Sequence, residues 1–199
     1  MKKFRLVFVA VLLSLCSSAW AHKETYSVRQ KSYRLSTVFE LDKEGHPLGS
    51  VWKSVFRIRT NYDVYDDSGE HEATGIARIW CLGTFRPWGA EFDVYDRHGD
   101  RIGVIDGQVA TTEAAKYSFY NSQGEKVGIA YLDLTCAGFS ILDPEKDTKI
   151  IARLTRNFVE DQVDHWDVVV YEHKAIDPAL IKVFAAFAVD KQAYFKADN

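Results

Sequence analysis

Six histidines, one crowded acidic hairpin and three cysteines are the residues of this 199-residue chain best equipped for chemistry. His22 would head the chain if the first 21 residues were removed. An N-terminal histidine binds copper through its amine and ring nitrogen when a second histidine lies close, and His71, His98, His165 and His173 are the available partners. Some residue must follow any cleavage site, and the repeats described below suit such a brace poorly, so no copper is expected. Asp63, Asp66, Asp67, Glu70, His71 and Glu72 crowd one segment. Oxygen-rich turns can hold calcium, but the spacing is not that of an EF-hand loop, and the cluster reads as a solvated charged turn. His71 and His98 fall in expected turns, and His165 and His173 bracket the strand of Trp166. Gly-x-Ser-x-Gly, a Walker loop, a dinucleotide fingerprint and His-Glu-x-x-His are all missing from the sequence. No catalytic residue, metal or cofactor is assigned, and the chain is expected to act by binding.

The segment Cys81-Leu82-Gly83-Thr84-Phe85-Arg86-Pro87-Trp88-Gly89-Ala90 stands apart, with glycine, proline and two large aromatics together. It reads either as an exposed aromatic loop for a ligand, partner or lipid, or as a long connection pinned by Trp88 in the core. The second reading is preferred.

Residues 1–21 read as a secretory signal. Lys2, Lys3 and Arg5 form a basic start, Leu6 to Leu15 is an apolar run, and Ala19-Trp20-Ala21 offers small residues where a signal peptidase cuts. The apolar run is shorter than the ~20 residues of a spanning helix. The expected mature chain, 22–199, is one domain, exported to the periplasm or secreted, and not integral to a membrane. Cleavage removes Cys16 and leaves Cys81 and Cys136 as a candidate disulfide in an oxidising compartment. It also leaves 22 basic residues against 28 acidic, a net charge of −6. An acidic body excludes nonspecific nucleic-acid binding, which needs a basic surface.

The elements that must position any site come from a repeated cassette: apolar residues, then Asp or Asn, two variable residues and Gly. Its copies end at Gly45, Gly69, Gly99 and Gly124, which are 24, 30 and 25 residues apart, and a degenerate fifth copy runs from Ile141 to Asp147. Asp or Asn bonds the amides of its own turn, and Gly takes the positive φ that closes a type I turn with a bulge. About five hairpins predict ten to twelve strands in an all-β sandwich or barrel. The strands leaving the turns are read as alternating, with Leu48 and Val51, Ile76 and Ile79, Ile102 and Val104, Val127, Ile129 and Tyr131, and Ile150, Ala152 and Leu154 apolar. A small residue recurs there too, at Gly49, Gly75, Gly103, Gly128 and Ala152, which suggests that something bulky lies against the inner face.

Ile176 to Lys191 supplies that object. Asp177 caps a helix that opens on Pro178, and from Ala179 to Val189 every residue but Lys182 is apolar. A helix apolar all round is buried on all sides. Its eleven residues span roughly 16 Å, too short for a bilayer of ~30 Å but close to the length of a strand. Leu180, Ile181, Val183, Phe184, Phe187 and Val189 are therefore expected to fill a closed barrel, with Lys182 reaching out of its mouth.

The hairpin repeats, the strand Ile151-Ala152-Arg153-Leu154-Thr155-Arg156, and Trp166-Asp167-Val168-Val169-Val170 leading into Ile176-Asp177-Pro178 resemble the tubby C-terminal-like superfamily. That superfamily includes the LURP-one-related proteins and the phospholipid scramblases, and the resemblance covers about Tyr26 to Lys191. It implies a twelve-stranded barrel wrapped around a hydrophobic C-terminal helix. Some tubby relatives bind phosphoinositide headgroups through basic surface residues; no such site is matched residue by residue here. The expected partner is a lipid surface or another protein. The alternative is a lipocalin-like carrier of a small hydrophobic ligand, which would need its cavity open.

Overall fold

The computed structural model describes residues 23–54, 57–108, 115–135, 137–146, 148–159 and 162–195. The expected signal, His22 and Cys136 lie outside the described residues. Twelve strands follow in order: β1 (Glu24–Ser32), β2 (Ser36–Lys43), β3 (His46–Ser54), β4 (Asn61–Asp66), β5 (His71–Ala77), β6 (Phe92–Asp96), β7 (Arg101–Gly107), β8 (Lys116–Asn121), β9 (Lys126–Leu132), β10 (Gly138–Leu142), β11 (Ile150–Val159) and β12 (Gln162–Val170). Each pairs antiparallel with the next, and β1 closes on β12 from Glu24↔Val170 to Val28↔Trp166. The result is a closed up-and-down barrel with all cassette turns at one end, the turn end. The connections β1–β2, β3–β4, β5–β6, β7–β8, β9–β10 and β11–β12 belong to the other end, the rim.

Three cassettes close as their residues predict. Asp66 Oδ1 accepts from the amides of Ser68 (3.0 Å) and Glu70 (2.8 Å), Gly69 sits at φ 80°, and a bulge falls between Val64 and Tyr65. Asp96 and Asn121 do the same in their turns. The first copy differs. Glu44 and Gly45 both take positive φ, 55° and 85°, so Lys43 faces His46 across a two-residue turn. Its bulge falls between Leu41 and Asp42.

Helix α1 (Pro178–Asp190) runs through the barrel. Asp177 accepts a hydrogen bond from the Ala179 amide at 2.9 Å, capping its start. Leu180, Ile181, Val183, Phe184, Phe187 and Val189 are all buried, as expected. Phe184 meets the rings of Tyr117, Phe119 and Phe139 at 5.1 to 5.2 Å, and Phe187 meets Phe92 at 5.2 Å, mostly edge to face. Each large side chain so buried contributes roughly 1.5–3 kcal/mol. With α1 in place, a hydrophobic ligand carried at the barrel centre has no room; carriage would have to use a surface cleft.

Val51 on β3 and Ala152 and Leu154 on β11 are buried in line with the sequence reading, but β5, β7 and β9 face the opposite way from it. Ile76, Val104, Ile129 and Tyr131 turn outward, whereas Gly75, Gly103, Ile105, Gly128 and Ala130 face the helix. The helix takes the interior volume, so small residues line the wall. A Cβ on Gly75, Gly103 or Gly128 would lie 2.5 to 2.7 Å from Val183, Leu180 or Ile176. Gly49 does not belong to this series; it is pressed against the Tyr65 carbonyl at the first bulge. Ile79 falls beyond the end of β5 and is exposed at the rim.

Candidate functional site

The rim is built around the C-terminal end of α1. Asp190 ends the helix, where the dipole disfavours a carboxylate. Lys53 Nζ donates to both of its oxygens (2.7 and 2.8 Å), the Tyr62 hydroxyl donates at 2.9 Å, and Lys191 Nζ lies 3.0 Å away. Burial pushes the Asp190 carboxyl up, but the Lys53 hydrogen bond and the two ammonium charges more than offset this and hold its pKa below the usual carboxylate range. Burial and the neighbouring Asp190 raise the Tyr62 hydroxyl well above the ordinary tyrosine value, so it stays a donor. Beyond the helix, Arg156 lies over the Trp166 ring at 5.0 Å and donates to the carbonyls of Gln192 (3.0 Å) and Phe195 (2.7 Å). Trp166 Nε1 donates to Gln192 Oε1 at 2.9 Å. The helix end is thus fastened to β3, β4, β11 and β12.

A cleft of about 240 Å³ opens beside this end, between the β3–β4 and β5–β6 connections. Tyr62, Phe92 and Phe187 form its apolar side, and Arg59, Thr60, Arg78, Thr84 and Lys191 supply polar groups. Arg78 forks onto Asp93 (2.7 and 2.8 Å) and reaches Glu91 at 3.1 Å. The Arg78 hydrogen bonds pull the Asp93 carboxyl down, and Asp93 in turn raises the guanidinium pKa. This fork fixes both ends of the aromatic segment singled out in the sequence. That segment divides. Trp88 turns in, its carbonyl accepting from the Tyr117 hydroxyl and its ring 5.6 Å from Tyr194, while Phe85 stays 83% exposed. The pinned connection and the exposed aromatic loop are both present, on different residues.

Exposed large apolar side chains gather at this end. Eleven occur among the described residues. Nine sit on the rim: Tyr33 and Leu35 after β1, Ile58 after β3, Ile79, Trp80 and Phe85 after β5, Leu134 after β9, Phe158 at the end of β11 and Tyr194 after α1. Trp52 and Tyr131 project from outer strand faces near it. Ile58, Leu134 and Trp80 are at least nine-tenths exposed. The turn end carries Glu44, Asp67, Ser68, Arg97, His98, Ser122, Gln123, Glu145 and Lys146 instead. Cations stand among the rim residues. Arg34 and Arg59 are exposed, and Arg57 reaches Asp63 at 3.1 Å.

The other candidates are dispersed. His71 starts β5, half-buried rather than in a turn, with Nε2 2.8 Å from Thr74 Oγ1; His98 is in the β6–β7 turn; His165 contacts Asp164 on β12; His173 lies near Glu24. Of the acidic cluster, Asp63 pairs with Arg57, Asp66 closes its turn and Glu72 pairs with Lys182, which is only 13% exposed instead of reaching clear of the mouth. Among the described residues no group of three His, Cys, Asp or Glu could hold a metal, and no helix is long and apolar enough to cross a membrane. Cys81 is a free thiol whose Sγ donates to the Arg78 carbonyl at 3.2 Å, so the expected Cys81–Cys136 bond is not seen. Sequence reasoning passed over Ile58, Arg59, Trp80 and Leu134. The signal available was Arg57-Ile58-Arg59, an apolar residue between two charges in a connection that is not a cassette turn. No protein-family model matches the chain, and no curated protein matches it.

Proposed function

We propose that this chain is an exported binding module that docks on the surface of a lipid bilayer through the rim of its barrel, by contact rather than turnover. The observation that carries the proposal is the segregation of exposed apolar side chains to one end. They are spread over several connections around the rim, which suits immersion among lipid headgroups. Full transfer of each large side chain is worth roughly 1.5–3 kcal/mol, and partial immersion a share of that. Arg34 and Arg59 favour an anionic surface, at about 1 kcal/mol for each basic residue near it. The cleft beside them has cations and hydroxyls over an apolar wall, as a headgroup would require. Kinship with the tubby-like superfamily belongs to the same proposal and is supported by twelve strands closed around a helix. Export is supported by the signal-like residues 1–21.

Vesicle flotation tests it. The mature chain should float with phosphatidylcholine vesicles containing phosphatidylglycerol, less with phosphatidylcholine alone, and less as salt rises. Arg34→Gln and Arg59→Gln should each weaken binding about five-fold, and Ile58→Ser with Phe85→Ser should abolish flotation without lowering thermal stability. Flotation that survives the double variant, or none with either vesicle, would contradict the proposal.

A further inference from the structure

A second recess lies at the turn end, far from the rim. It is a slot of about 120 Å³ between the first turns of α1 and the start of β1. Leu48, Val170, Ile176 and Ile181 give it an apolar body. Tyr26 lines it, is 4% exposed and stays protonated, since burial raises its pKa far above neutral. The Tyr26 hydroxyl makes no hydrogen bond with any described residue, yet it is not sealed from solvent. Facing a slot open to solvent, that hydroxyl keeps a hydrogen-bonding capacity that no described residue takes up.

Charged groups surround the mouth, and they are already paired. Lys182 Nζ is 2.5 Å from Glu72, and Glu24 lies 3.4 Å from His173 Nδ1 and 3.7 Å from Lys43 Nζ. A carboxylate or ammonium entering the slot would gain an opposite charge only by displacing one in place. An uncharged guest displaces none. The volume equals that of about four water molecules, room for a molecule of roughly five or six heavy atoms.

We infer that this slot binds a small uncharged amphiphile, with an apolar body against Leu48, Val170, Ile176 and Ile181 and one hydroxyl or carbonyl group hydrogen-bonded to the Tyr26 hydroxyl. The site is independent of the rim, and membrane docking has no part in it.

Methyl NMR of the mature chain, titrated with 1-butanol, 2-butanone, butyrate and butylammonium, tests the inference. Butanol and butanone should shift the methyls of Leu48, Ile176 and Ile181 with millimolar affinity, an ordinary strength for ligands this small. Butyrate and butylammonium should bind several-fold more weakly. Tyr26→Phe removes a hydroxyl with no protein partner and should keep the fold while weakening butanol about three- to ten-fold. Leu48→Phe should fill the slot and abolish the shifts. Shifts absent for every probe, shifts confined to rim methyls, stronger binding of a charged probe, or unchanged affinity in Tyr26→Phe would each overturn it.

Discussion

Gly75 lies directly beneath Val183: a Cβ on the glycine would stand 2.5 Å from the valine Cγ1. Wall and helix are fitted to each other at this point, with the missing side chain on β5 making room for the branched one on α1. Gly75→Ala should therefore destabilise by about 1–3 kcal/mol through overpacking. Combined with Val183→Ala, it should cost at least 1 kcal/mol less than the two single changes together, about the coupling found between residues in contact. Urea unfolding of the four proteins measures this. Strict additivity would mean the two residues do not share that space.

Phe184 is fully buried among four rings, those of Tyr117, Phe119, Phe139 and Phe187. Phe184→Ala should cost about 3–5 kcal/mol from lost transfer energy and the cavity left behind. Phe184→Asp, which buries an unpaired charge, should prevent folding. Deleting the chain after Ile176 should leave the inner faces of most strands uncovered and abolish the cooperative thermal transition seen by circular dichroism. A sharp melt in that truncation would show that the barrel stands without its helix.

These two expectations come from features legible in the sequence, and the reason is that they are local. Asp66 and Gly69 sit within one turn, and the continuous apolar run of α1 needs no partner to be recognised. The glycine series was legible as well: Gly75 and Gly103 meet the helix, and Gly128 meets Ile176 just before it. Facing was not. Ile76, Val104 and Ile129 alternate as core residues do, but the interior volume belongs to α1 and they turn outward. The rim was hidden for a related reason. In sequence an exposed Ile58 or Trp80 looks like core, and only closure of the sheet shows that these connections share one end.

Asp190 makes stability depend on acidity. Its carboxyl ionises at lower pH in the folded chain than in the unfolded one. The stability this supplies is whole above the unfolded carboxylate value of about 4 and is lost as pH falls through the depressed folded value. Thermal melts below pH ~4 should show the wild type losing stability more steeply than Asp190→Asn. At neutral pH Asp190→Asn should be less stable by about 1–3 kcal/mol, because Lys53 and Tyr62 lose an ionised acceptor. Parallel pH profiles for the two proteins would assign the acid sensitivity to other carboxylates.

Cys81 Sγ bonded to the Arg78 carbonyl predicts that protein expressed without residues 1–21, once denatured, titrates with two free thiols, Cys81 and Cys136. A thiol count without reductant checks this. Finding no free thiol would restore the disulfide that an oxidising compartment favours.

The immersion depth of the rim tests the central claim most directly. Bimane attached at Ile58→Cys or Gln123→Cys, with Cys81→Ser and Cys136→Ser, reports the rim and the turn end separately. On vesicles containing phosphatidylglycerol, the label at 58 should shift to the blue and be quenched by brominated lipid, while the label at 123 stays as in water. Immersion of position 123, or no change at position 58 when the protein is vesicle-bound, would contradict docking through the rim.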